Sequence, residues 1–106
     1  ENAYTDIIVY LKSISEFVFC LGLTRMDEEK TNPIPPNNRI AFRNKELERY
    51  EAVIKSIADR EGINFIKISD VFGVTELAPD GIHPNAEGHR LIYERVKGEL
   101  ENAGIL

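Results

Sequence analysis

The sequence predicts an α/β fold with parallel strands, and three observations support this. Apolar residues recur at helical spacing in three segments of the chain. Two short runs that are apolar on both faces lie between these segments, which is typical of buried parallel strands. The resulting order of helix, strand, helix, strand and helix favours a layered structure with right-handed crossovers.

The first half of the chain is expected to contain one helix, one strand and a polar connection. The helix covers residues 3–14, where four apolar residues share one face: Ile7, Ile8, Leu11 and Ile14. Residues 17–23, FVFCLGL, form the first strand, because this run is too short for a good helix. Residues 24–38 hold three of the five prolines and an acidic cluster, so an irregular connection is expected there.

The second half is expected to contain two helices around a second strand. One helix covers residues 39–61, ends at Gly62 in a left-handed conformation, and has this apolar stripe: Ile40, Leu47, Tyr50, Ile54, Ile57 and Ala58. Residues 63–68, INFIKI, form the second strand. The last helix should start at Pro84, since proline at the first helical position loses no hydrogen bond, and end at Gly104. Its inner face is expected to contain Ile92, Val96, Leu100 and Ala103.

Composition limits the classes of partner and compartment. A chain of 106 residues forms one modest domain or part of one. The net charge of -5 and the scattered basic residues argue against nucleic acid as a partner. Cys20 is the single cysteine, so no internal disulfide can form and an intracellular setting is favoured. No apolar run is long enough for a transmembrane segment. The chain begins at Glu1 without a methionine, so a signal peptide or a larger N-terminal region upstream leaves the compartment open.

Two parallel strands make an incomplete sheet. Such strands are normally covered on both faces and joined by further parallel neighbours. A unit with only two would leave apolar strand edges open. The chain is therefore expected to be about half of a larger sheet.

The segment LAPDGIHPNAEGH places Asp80 and His83 together after the second strand. In open α/β sheets, ligands bind in the loops at the carboxyl ends of the strands. The glycine between the two residues permits a tight turn, which can bring the Asp80 carboxylate onto Nδ1 of His83 and leave Nε2 free to accept a proton. The spacing also fits ordinary turn and cap residues, because Asp-Gly and His-Pro are common in loops.

A metal site formed by Asp80, His83 and His89 is disfavoured. If the last helix continues to His89, that residue lies about 240° around the helix from His83, so the two rings do not converge. His89 is expected to be a surface residue, and no cofactor is expected.

The segment DGIHPN, followed by AEGH and an amphipathic closing helix, resembles the final motif of the SGNH hydrolases, also called GDSL-type esterases and lipases. Upstream features of the chain, including a buried strand ending in LGLT, resemble the second half of bacterial members. The resemblance implies the C-terminal part of a flavodoxin-like three-layer α/β/α sandwich that hydrolyses esters through a serine. It further implies that His83 is the general base and that Asp80 orients it.

Other motifs of that family do not occur in this sequence. The family's serine follows Gly-Asp, and its oxyanion hole uses a Gly-x-Asn-Asp motif. No serine follows Gly-Asp here, and no Asn-Asp pair exists; the serines are Ser13, Ser15, Ser56 and Ser69. Stabilisation of the oxyanion often contributes more to catalysis than any other single effect, so the isolated chain is expected to be inactive.

Three functional hypotheses follow. The first is that residues 1–106 are the C-terminal part of one SGNH domain, a serine esterase acting on small-molecule carboxylic esters. The second is a non-catalytic α/β module that binds or dimerises through its exposed sheet edge. The third, a phosphate-handling flavodoxin-like domain, has no glycine-rich loop to support it.

Overall fold

The computed structural model describes residues 2–33 and 41–106. Its elements are α1 Asn2–Ile14, β1 Phe19–Leu21, α2 Glu28–Thr31, α3 Asn44–Glu61, β2 Asn64–Ile66, a 3-10 turn Val74–Glu76 and α4 Ala86–Asn102. Strands β1 and β2 are parallel neighbours, with Cys20 opposite Phe65. The predicted mixed α/β fold with parallel strands is therefore confirmed.

The elements differ from their predicted bounds in several places. Each strand has three residues and is shorter than its apolar run. Helix α3 begins at Asn44, while residues 34–40, which include the predicted start of this helix, lie outside the described residues. The predicted left-handed cap at Gly62 is confirmed by its φ of 71°.

The connection after β1 was predicted to be irregular but contains the short helix α2. This helix forms because Asp27 is its N-cap, with a side-chain oxygen that accepts a hydrogen bond from the Glu29 N–H at 3.2 Å. Aspartate is among the preferred N-cap residues because it satisfies an otherwise unpaired N–H of the first turn.

The hydrophobic core is formed by residues of helices α1 and α3 and of strand β1. Four buried residues form its centre: Ile8, Cys20, Ile57 and Ala58. Each fully buried aliphatic side chain contributes about 1.5–3 kcal/mol to folding. The stripe predicted on α3 is thus partly correct, because Ile57 and Ala58 are buried whereas Tyr50 is exposed.

A large part of the apolar surface of α1 is uncovered. Only Ile8 of its predicted inner face is buried, whereas Ile7 and Ile14 are 58% and 63% exposed. The radius of gyration is 15.5 Å, compared with about 13 Å for a compact domain of this length. The described chain therefore leaves an apolar face without a covering layer. No described helix has the length and apolar character needed to cross a bilayer.

Helix α4 is attached to the connection after β2. The Arg95 guanidinium donates to the Lys67 carbonyl at 2.8 Å and to the Asp70 carboxylate at 3.0 Å. The hydrogen bond from Arg95 lowers the pKa of Asp70. These contacts fix the path of the chain between β2 and the loop that leads into α4.

Candidate active site

The loop between the 3-10 turn and α4 brings Asp80 and His83 into direct contact. Oδ2 of Asp80 lies 2.6 Å from Nδ1 of His83. Oδ1 accepts hydrogen bonds from the backbone N–H groups of Ile82, at 2.8 Å, and His83, at 3.1 Å. Gly81 has a φ of 72°, a left-handed conformation that glycine adopts without strain. The contact predicted from the spacing of the two residues is present.

These hydrogen bonds lower the pKa of Asp80 to about 2. The largest cause is the hydrogen bond to the His83 side chain, followed by those from the backbone N–H groups of Ile82 and His83. At neutral pH the carboxylate is therefore ionised and can only accept hydrogen bonds. In the neutral imidazole the proton must then lie on Nδ1, which leaves a lone pair on Nε2.

The imidazole is accessible. The His83 side chain is 74% exposed, and no other described residue forms a hydrogen bond with its ring. An imidazole with an oriented Nδ1 and an open Nε2 can take a proton from a hydroxyl group and return it to a leaving group. The arrangement is therefore chemically suited to general acid–base work.

Asp80 and His83 form a hydrogen-bonded dyad. Helix α2 packs against the turn that carries this dyad. The Asp27 N–H donates to the Gly81 carbonyl at 2.9 Å. A Cβ at Gly81 would lie 2.9 Å from Cβ of Lys30 and 3.2 Å from Cβ of Asp27. Glycine is thus required at this position both by its φ and by the close approach of α2. Sequence reasoning missed this contact, because nothing local links two segments so far apart in the chain.

The start of the last helix was predicted wrongly at Pro84. Helix α4 begins at Ala86, and Asn85 is its N-cap, whose Oδ1 accepts from the Gly88 N–H at 2.9 Å. Pro84 instead pairs with Leu77 in an isolated antiparallel bridge. Asparagine is a strong N-cap residue, and this local signal could have found the correct start.

Asn85 also connects α4 to the 3-10 turn. Its Nδ2 donates to the Thr75 carbonyl at 3.1 Å and to the Leu77 carbonyl at 3.5 Å, while its backbone N–H donates to the Glu76 carbonyl at 2.8 Å. The Ala78 N–H, in turn, donates to the His83 carbonyl at 2.7 Å. The dyad loop, residues 77–85 between the 3-10 turn and α4, is therefore held at both ends.

The other sequence candidates are not part of this arrangement. Ser13 and Ser15 donate to the carbonyl groups of Tyr10 and Phe17, which are local contacts. His89 is exposed on α4. In the part of the chain that the structure describes, no group of three or more His, Cys, Asp or Glu side chains could hold a metal ion.

The fold is similar to solved hydrolase structures of low sequence identity. An alpha/beta hydrolase enzyme from the metagenome of Lake Arreo, Spain, is 16% identical with a TM-score of 0.69, and the match covers 99% of this chain and 46% of that one. An acetyl xylan esterase from Geobacillus stearothermophilus is 16% identical with a TM-score of 0.67, covering 91% and 43%. A GDSL-like lipase from Bacteroides thetaiotaomicron is 19% identical with a TM-score of 0.67, covering 93% and 51%.

At these identities the likeness shows the fold alone. The chain spans about half the length, or less, of these structures. The matched region is therefore only part of each of these larger structures.

The sequence itself supplies the family. No curated protein matches the chain significantly. The profile of the GDSL-like Lipase/Acylhydrolase family, however, matches residues 7–91, which is most of the chain and includes the dyad loop. The chain therefore belongs to the GDSL-like lipase/acylhydrolase family.

Proposed function

We propose that this chain is the C-terminal part of one serine esterase domain and supplies two of its three catalytic side chains. His83 takes the proton from a serine hydroxyl as the serine attacks the ester carbonyl, and then gives it to the leaving alcohol. Asp80 holds the imidazole and stabilises its protonated form. The observation that carries the proposal is the 2.6 Å contact between Oδ2 of Asp80 and Nδ1 of His83.

The serine and the oxyanion donors come from residues outside these 106. No serine hydroxyl of the described residues is hydrogen-bonded to His83, and the sequence has no Gly-Asp-Ser motif. The exposure of the dyad supports this division, because oxyanion stabilisation is strongest in a site from which water is excluded. The isolated chain is accordingly expected to be inactive toward carboxylic esters.

The two histidines of the chain offer a matched test. In the complete reading frame that encodes this chain, His83→Ala is expected to lower kcat/KM for p-nitrophenyl acetate by several orders of magnitude, with no change in circular dichroism. His89→Ala, which removes the exposed imidazole of α4, should leave activity near that of the wild type. Near-normal hydrolysis by His83→Ala would remove His83 from the mechanism.

A fluorophosphonate probe identifies the nucleophile, because it reacts only with an activated serine. Intact-mass spectrometry of the complete protein is expected to find one adduct, and peptide mapping is expected to locate it outside the 106 residues. An adduct on Ser13, Ser15, Ser56 or Ser69 would contradict the proposed division of the triad.

A binding or dimerisation module is the second candidate, and the uncovered apolar surface favours it. Within the described residues, β2 is the only partner of strand β1. Leu21 at the end of β1 is exposed, as are Ile7 and Ile14 of α1. An open edge of this kind is a template for pairing with another chain. Light scattering of the isolated chain at increasing concentration tests this candidate, and a monomer throughout would count against it.

A further inference from the structure

We infer that a cleft beside the dyad loop binds a short, uncharged, mainly apolar group of the ester substrate. The cleft has a volume of about 140 Å³. Its lining includes Arg25, Met26, Asn44, Phe72, Val74 and Leu77. The inference rests on the proposed ester hydrolysis, but binding in the cleft can be measured without it.

The cleft lies where both connections leave the sheet. Arg25 and Met26 lie in the connection after β1, and Phe72 and Val74 lie in the connection after β2, so these walls belong to the loops that follow two parallel strands. This is the edge at which open α/β sheets bind their ligands.

The walls of the cleft continue directly into the dyad loop. Met26 is followed by Asp27, whose N–H is bonded to the Gly81 carbonyl. Leu77 pairs with Pro84, the residue after His83. A group bound in the cleft is therefore next to the turn that presents the imidazole.

The chemistry of the lining favours an uncharged group. The side chains of Met26, Phe72, Val74 and Leu77 are apolar, and Leu77 is only 9% exposed. Both ends of the Asn44 amide bind Met26, because Oδ1 accepts from the Met26 N–H at 2.7 Å and Nδ2 donates one of its two N–H groups to the Met26 carbonyl at 2.9 Å.

Arg25 does not make the cleft an anion site. Its guanidinium donates to the Glu48 carboxylate at 2.7 Å, so the local positive charge is balanced. A carboxylate or phosphate on the substrate would have to compete with Glu48 for this partner.

The volume sets the size of the group. An apolar cavity of about 150 Å³ holds benzene, with six carbon atoms. A cleft of about 140 Å³ therefore takes a group of similar size, and a chain of more than about six carbon atoms would extend into solvent.

The kinetic test uses the complete enzyme and two ester series. One series lengthens the acyl group from acetate to octanoate on p-nitrophenol, and the other lengthens the alcohol of acetate esters from methyl to octyl. We expect kcat/KM to rise up to about six carbons in one series and then to level off. The series that shows this rise identifies which side of the ester enters the cleft.

Val74→Trp should close the mouth of the cleft, where Val74 is 58% exposed. We expect it to lower kcat/KM for the six-carbon ester at least about tenfold, because methylene groups in an apolar pocket carry this much selectivity. The loss for the shortest ester should be smaller, because less of that ester occupies the cleft. Val53→Trp, on α3 and away from this lining, is the matched control and should leave both rates unchanged. A length profile unaltered by Val74→Trp would overturn the inference.

Binding is measured separately by methyl NMR of the complete protein, titrated with 2-hexanone, an uncharged ketone that cannot be hydrolysed. The Val74 and Leu77 methyl resonances are expected to shift, and hexanoate anion should shift them less at equal concentration. If these shifts occur but the complete protein hydrolyses no ester, binding in the cleft is supported and the proposed function is overturned. If the protein hydrolyses esters through His83 but these resonances do not shift, the proposed function is supported and binding in the cleft is overturned.

Discussion

Gly88 is the residue at which helix α4 touches the 3-10 turn, and its replacement tests whether this contact holds the dyad loop. A Cβ at residue 88 would lie 2.6 Å from the Glu76 carbonyl oxygen and 2.9 Å from Cβ of Pro84. An ordinary carbon contact is about 3.5–4.0 Å. Because the closest partner is a backbone atom, either the helix or the turn has to move.

The free energy of this change has two opposing parts. Overpacking a close contact costs about 1–3 kcal/mol. Alanine is better than glycine inside a helix by up to about 1 kcal/mol, and this gain is smaller in the first turn, where Gly88 lies. We therefore expect Gly88→Ala to lower the free energy of unfolding by about 1–2 kcal/mol.

Gly98, on the same helix, provides the matched control. Apart from its chain neighbours and the backbone of its own helix, a Cβ at Gly98 would meet no atom of the described residues within 4 Å, so only the helix-propensity gain remains. Gly98→Ala should raise the free energy of unfolding by about 0.5–1 kcal/mol. Urea unfolding followed by circular dichroism measures both changes. Equal stabilisation by the two substitutions would refute the reasoning, because α4 would then not press on the turn.

Two further predictions concern the loop itself. In His83→Gln the pKa of Asp80 should rise from about 2 toward its ordinary value of 3.8, because the hydrogen bond to the His83 side chain, which lowers this pKa most, is lost. NMR titration of the carboxyl carbons measures the pKa of Asp80, and Asp70 serves as the control whose pKa should not change. An unchanged titration midpoint of Asp80 would contradict the prediction. Because folding lowers the pKa of Asp80, the stabilisation from the ionised carboxylate is complete above pH 3.8 and is lost as the pH falls through about 2. Asn85→Ala should cost about 1–2 kcal/mol in urea unfolding through loss of the cap and of two donated hydrogen bonds. Asn85→Ser keeps a capping oxygen without placing a second acceptor against the Thr75 and Leu77 carbonyls, and it should recover the part due to the cap. Equal losses in the two variants would exclude a capping role.

Features that depend on neighbours in sequence could be predicted. The contact between Asp80 and His83, the left-handed Gly62 and the order of the main elements all follow from patterns a few residues long. The error at Pro84 was also local, since two good start signals stood side by side and the N-cap of Asn85 determined the boundary.

Features that depend on distant residues could not be predicted. The hydrogen bond from Asp27 to Gly81 joins segments that share no sequence signal. The amphipathic pattern of α1 predicts a face that requires burial, but it does not say which residues would cover that face. Among the described residues, Ile8 of that face is buried whereas Ile7 and Ile14 are exposed.

The short separation between Asp80 and His83 has a consequence for the order of folding. Closing a loop of about ten residues takes about 10–100 ns, and the entropic cost grows with loop length. Pairing of Cys20 with Phe65 requires a much longer loop to close. The imidazole can therefore acquire its orientation from its own turn, before the sheet is assembled. In an esterase of the proposed kind, the rest of the domain then has to bring a hydroxyl group to a base that is already aligned.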